Sequence, residues 1–166
     1  MIFGRHDVLM DEKGRVAFPA GLRPALATGG GADQGMGALD ADTAGDANTR
    51  FILTQSLFEK CLVGMTEAAF AEQARKVAAM PPSNSAVSLF KYLFIAPATV
   101  AVIDKAGRVN VPKELRDFAS LDRECVWLGV VDRIELWSRS GYDELRRRHA
   151  AENLDNTRDY LARHGL

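Results

Sequence analysis

Excess positive charge is missing from this chain: 21 Lys and Arg against 22 Asp and Glu leave a formal net charge of −1. That excludes a nonspecific polycation, although local patches bind phosphate whatever the total charge. Cysteine is scarce. Cys61 and Cys125 lie in apolar segments without metal-ligand partners nearby, so both read as buried core thiols. The three histidines, His6, His149 and His164, are scattered and form no metal-spaced cluster. No Gly-x-Ser-x-Gly elbow, Walker loop or dinucleotide fingerprint occurs. The chain therefore does not read as an enzyme, and no cofactor, metal or small-molecule substrate is expected. No apolar run reaches about 18 residues, and the N-terminus lacks the basic-then-apolar order of a signal peptide. The expectation is a cytoplasmic protein without membrane contact. What is present, 47% hydrophobic and 26% charged residues in a chain of 166, suits one ordinary core or two small units sharing one.

The chain writes one stretch twice. Asp11-Glu12-Lys13-Gly14-Arg15-Val16-Ala17-Phe18-Pro19-Ala20-Gly21-Leu22-Arg23 returns 93 residues later as Asp104-Lys105-Ala106-Gly107-Arg108-Val109-Asn110-Val111-Pro112-Lys113-Glu114-Leu115-Arg116, with seven of 13 positions identical. An internal repeat alters the whole fold reading. Each copy predicts strand, tight turn, strand and short helix. Asp favours the first position of a type I turn, and Gly14 and Gly107 fall where a bulged hairpin needs positive φ. Arg15 and Arg108 are then the first side chains of the returning strands. Pro19 and Pro112 suit the start of the helices, which run to about Leu26 and Ala119.

Apolar-Asp-x-x-Gly-Arg-apolar-x-apolar-Pro-x-x-Leu-Arg, present twice, resembles the MraZ family of bacterial transcriptional regulators. The opening Met1-Ile2-Phe3-Gly4 is similar to that family's start, and Gly129-Val130-Val131-Asp132-Arg133-Ile134-Glu135-Leu136-Trp137-Ser138 to its second-half signature. The resemblance implies a mainly β protein with short helices, made of two pseudo-symmetric AbrB-like (SpoVT-AbrB) swapped-hairpin, double-split β-barrel units with packing helices. It places the first unit at about 1–80 and the second at about 81–166. It also implies a sequence-specific, nucleoid-associated DNA binder, a repressor of its own cell-division and cell-wall operon, working as a homo-oligomeric ring on spaced promoter repeats. Two other classes are weighed beside it: a non-catalytic ring-forming structural protein, and an AbrB-like antitoxin-type DNA binder.

Between the copies, the Gly- and Asp-rich stretch at about 28–50 cannot bury enough to fold alone and predicts a loop. The repeat agrees: Phe51 to Val63 resembles Glu124 to Leu136 at an offset of 73, so the first half carries 20 extra residues here. Thr66 reads as a helix N-cap, with Pro81-Pro82 ending that helix and Ser83 or Ser85 capping the next. Val87, Leu89, Phe90, Leu93 and Phe94 give the second helix an apolar face too broad for solvent, expected against the barrel or another subunit. Asp132-Arg133 reads as the turn of a closing hairpin, Ser138 or Ser140 as the cap of a last long helix, and Trp127 and Trp137 as core or interface. Beyond Ala151 a weakly held helix or frayed tail is expected.

The expected DNA contacts are Arg15, Lys13, Arg108, Lys105 and Arg5. The bland reading of Arg15 and Arg108 is a strand arginine paired with a nearby carboxylate. A guanidinium just past a turn can instead make the bidentate contact to guanine, and the family resemblance favours this for Arg15. Lys13 would touch phosphate. Its counterpart is Ala106, so the first hairpin ranks above the second, with Lys105 a less well aimed substitute. Arg5 could support the first hairpin's charge. Asp11 and Asp104 should cap turns, and Arg23 and Arg116 should pair with carboxylates. Arg146-Arg147-Arg148 point about 100° apart on a helix and read as a solvated face.

Overall fold

Both copies of the repeat fold alike. In the computed structural model, which describes residues 1–27, 49–151 and 154–165, the first copy runs through β1 (Ile2–Leu9), a turn, β2 (Arg15–Ala17), a 3-10 turn and α1 (Arg23–Ala27). There follow β3 (Arg50–Gln55), β4 (Leu62–Met65), α2 (Glu67–Ala78) and α3 (Ser85–Phe90), the last continued by a π-turn over Lys91–Ile95. The second copy gives β5 (Thr99–Val102), β6 (Arg108–Asn110) and α4 (Lys113–Phe118). The chain ends with β7 (Glu124–Val131), β8 (Arg133–Ser138), α5 (Arg139–Ala151) and α6 (Leu154–Arg163). The loop expected at about 28–50 lies outside the described residues, apart from its last two. No helix among the described residues is long and apolar enough to cross a membrane.

The pairing obeys an approximate twofold exchange of the copies. One antiparallel sheet has the order β1-β7-β8-β4-β3-β5, and β2 pairs only with β6. Swapping each strand for its equivalent in the other copy reverses the first order and leaves the second unchanged. The first strand of each copy therefore pairs within the other half, β1 on β7 and β5 on β3. The hairpins read from sequence are split: β1 and β2 meet only at the bridge Met10–Val16, and β5 and β6 at Ile103–Val109. Past those bridges the returning strands pair with each other. This is the mainly β, swapped arrangement that the resemblance implied.

The main core draws on both copies because the strands are interleaved. Val16, Phe18 and Leu22 from the first meet Val109, Val111 and Leu115 from the second, around Phe51, Trp127, Ile134 and Leu136. The Trp127 ring stands edge-on to Phe18 at 5.1 Å, and its Nε1 donates to the Ala17 carbonyl at 3.0 Å. Trp137 packs separately with Cys61 and Val126, next to Tyr142. Both tryptophans are buried, as expected. Both cysteines are buried too, and burial pushes each thiol up to about 12.

Local signals had mixed outcomes. Thr66 caps α2, its hydroxyl accepting from Ala69 N–H, and Ser138 Oγ accepts from Gly141 N–H at the start of α5. α3 is capped by Asn84 rather than by Ser83 or Ser85: Asn84 keeps extended backbone while its carboxamide oxygen accepts from Ala86 N–H. The closing hairpin turns one residue earlier than expected, because Val130 pairs with Arg133 and leaves Val131 and Asp132 as the loop. Val131 is thereby held at φ +59°, a conformation costly for a β-branched side chain, which here is 66% exposed. Val131→Asn should relieve that strain and stabilise the fold by about 1 kcal/mol. An unchanged or lower urea midpoint for the variant would show that the turn is not strained.

Candidate nucleic-acid interface

Each repeat turn is built by the Asp that opens it. Asp11 Oδ1 accepts from the backbone N–H groups of Lys13 and Arg15, both at 2.9 Å, and Oδ2 accepts from Arg15 Nε at 2.7 Å. Asp104 repeats the pattern more loosely: Oδ1 accepts from Arg108 N–H at 2.8 Å, and Oδ2 from its Nε and Nη2, both at 3.4 Å. These bonds, the arginine backbone N–H foremost, hold both carboxyls below the ordinary aspartate range. Gly14 and Gly107 sit at φ +77° and +73°, the left-handed geometry that their place in the turn requires.

The two turns belong to one object. Beyond the β2–β6 ladder, Phe18 N–H donates to the Gly107 carbonyl at 2.8 Å, and Val111 N–H to the Gly14 carbonyl at 2.9 Å. The turns thus cap opposite ends of a single two-stranded ribbon, about 13 Å apart by strand rise. Its register sets Arg15 across from Asn110, Val16 across from Val109, and Ala17 across from Arg108. Val16 and Val109 are fully buried, so alternation turns Arg15, Ala17, Arg108 and Asn110 to the outer face. Two arginines expected at separate hairpin tips are therefore diagonal neighbours on one face, about 7–8 Å apart. A two-stranded ribbon is one of the elements that the DNA major groove admits.

The two arginines are not equivalent. Arg15 is about one-third exposed, with a side-chain value of 32%, and uses only Nε on Asp11. Among the described residues its two Nη groups have no partner, so the edge that reads guanine is free while the carboxylate fixes the other edge. Arg108 also places Nη2 near its carboxylate. Both readings of these arginines hold a share of the geometry: each is paired with a carboxylate, and each sits on the outer face.

Lys13 and Lys105 are exposed on the two turns. Arg5 is not brought to the ribbon. Its guanidinium lies 5.1 Å from the centre of the Tyr142 ring on α5 and bonds Asp7 at 3.1 Å. Arg147 pairs with Glu144, and Arg148 reaches Glu59 at 2.7 Å, tying α5 to the β3–β4 turn. The arginine run is a solvated face, as its spacing indicated, with Arg148 serving as a tether.

Arg23 and Arg116 depart from expectation. Among the described residues neither pairs with a carboxylate. The Arg116 guanidinium instead covers Gly14, where an added Cβ would lie 2.7 Å from its Cζ, and Arg23 Nη2 covers Gly107 at the same 2.7 Å. The helix of each copy thus braces the turn of the other, with both Nε atoms buried and without a hydrogen bond. The repeat carried this signal in its paired Gly and Arg, but only the swapped topology shows that they meet across copies. Asn110 was also passed over, although period-two alternation from Arg108 places it on the same face.

Among the described residues no group of His, Cys, Asp or Glu could hold a metal ion. Residues 94–163 match the family model described as MraZ protein, antitoxin-like. That stretch contains β5, the second turn, Arg108, Asn110 and the bracing Arg116, while the first copy is tied to it by the repeat itself. With the doubled turn and the swapped sheet beside it, that match makes the second half of the chain similar to MraZ proteins, a family of DNA-binding regulators.

Proposed function

We propose that the β2–β6 ribbon enters the major groove of double-stranded promoter DNA, and that the protein is a sequence-specific transcriptional repressor of its own cell-division and cell-wall operon. The observation that carries this reading is the outward face shared by Arg15 and Arg108, with the Arg15 Nη groups unengaged. Arg15 takes a base edge, and Lys13 and Lys105 take flanking phosphates. The two halves, about 1–80 and 81–166, act as paired AbrB-like units that supply one strand each to this ribbon.

The same protomer is short of grip. Four basic against three acidic side chains from Met1 to Leu26, and four against three from 100 to 120, give little net attraction. Several ribbons aligned in a homo-oligomeric ring on spaced repeats would supply avidity. Exposed apolar side chains support such assembly: Phe3 and Leu9 on the free edge strand β1, Val100 and Val102 on the other edge strand β5, and Leu89, Tyr92 and Leu93 on α3 and its π-turn. An antitoxin-type role would use the same ribbon on DNA.

The test is a mobility-shift titration of the full chain on DNA from upstream of its own gene, at two salt concentrations, beside a solution mass. Selective retention that weakens steeply with salt, by a species heavier than one protomer, is the expected result. Equal affinity for an unrelated duplex would overturn sequence-specific regulation. A ring that retains no DNA would leave assembly as the endpoint.

A further inference from the structure

We propose that Asn110 is a specificity-determining residue that reads adenine next to the guanine taken by Arg15, an inference that rests on the DNA-binding reading above. The ladder sets Asn110 directly across from Arg15, and its side chain is exposed on the outer face. Directly opposed strand residues hold their Cβ atoms about 4.5–5.5 Å apart. Successive base pairs stack at about 3.4 Å, so the two side chains address the same or adjoining base steps. A carboxamide offers a donor and an acceptor side by side, which matches the N6 and N7 edge of adenine as the guanidinium matches O6 and N7 of guanine. Asn is a poor strand former, and among the described residues no hydrogen bond holds its amide, so local structure gives it no other task.

The repeat sharpens the assignment. At the equivalent position the first copy has Ala17, which lies across from Arg108. The ribbon therefore has two unlike ends, Arg15 with Asn110 and Arg108 with Ala17, and only the first carries two hydrogen-bonding readers. This gives a pseudo-symmetric ribbon a direction along the duplex. It also shows that alanine is tolerated on this face, so Asn110→Ala is a fair probe of recognition rather than of folding.

The experiment is selection of bound sequences from duplexes with a randomised core, using the full-length wild type, Asn110→Ala and Arg15→Ala. Wild type should enrich a motif with guanine beside adenine. Asn110→Ala should keep the guanine, lose the adenine and bind the wild-type motif about tenfold more weakly. Its salt dependence should be unchanged, because no phosphate contact is removed. Asn110→Ala enriching the wild-type motif unaltered would overturn the role of Asn110 and leave the DNA reading standing. A wild type that enriches no motif would instead remove the DNA reading, and this inference with it.

Discussion

On the proposed DNA-binding reading, Arg15→Ala should leave the fold and the solution mass unchanged while removing the preference for one duplex over another. The Arg15 side chain bonds Asp11, which keeps its two backbone donors, Lys13 N–H and the residue 15 N–H, after the side chain is gone. The turn therefore survives. What is lost is the free guanidinium edge, and a bidentate contact to guanine discriminates by about 1–3 kcal/mol. In an assembly that seats several ribbons at once, that loss recurs at each seated ribbon, so specific binding should fall to the level of random DNA. Arg108→Ala should be milder, because its guanidinium is partly engaged by Asp104 and its cross-strand neighbour is Ala17. The check is competition between promoter and random duplex for each variant, with solution mass measured in parallel. Wild-type discrimination by Arg15→Ala would refute its role, and an equal or larger loss in Arg108→Ala would invert the ranking.

Local chemistry was legible in the residues; partnership was not. Asp11, Gly14 and their second-copy equivalents specify a turn by short-range rules, and both turns have the expected backbone. Thr66 announced its helix for the same reason. A strand of three residues such as β2 contains no information about which strand it will join, because its ladder is too short to outweigh a tertiary choice. The hairpin reading was therefore right about the turn and incomplete about the sheet: the family resemblance implied the swap, but neither it nor the residues gave the β2–β6 register and what depends on it. That includes the shared face of Arg15 and Arg108, the neighbour Asn110, and the crossed braces of Arg23 and Arg116. The closing turn slipped by one residue because Asp132 is a common turn former, whereas Val131 in left-handed backbone contradicts its own propensity and is fixed by the pairing of β7 with both β1 and β8.

Trp127 supports the ribbon from beneath. Its ring is fully buried between the copies and packs edge-on against Phe18, two residues beyond Val16. Its Nε1–H donates to the carbonyl of Ala17, inside the ribbon itself. Trp127→Ala should destabilise the protein by about 3–5 kcal/mol through the cavity it leaves. Loss of the hydrogen bond adds about 1 kcal/mol. Against a total stability of roughly 5–15 kcal/mol, that is a large share, and urea unfolding should show it directly. Trp127→Phe separates support from folding. A phenyl ring retains most of the packing against Phe18 but cannot donate to Ala17, so the variant should stay folded with a ribbon less firmly held. Its promoter affinity should then fall further than its modest loss of stability explains, while its oligomer mass stays unchanged. A Trp127→Phe protein that binds promoter DNA as tightly as wild type would show that the Ala17 contact does not position the ribbon.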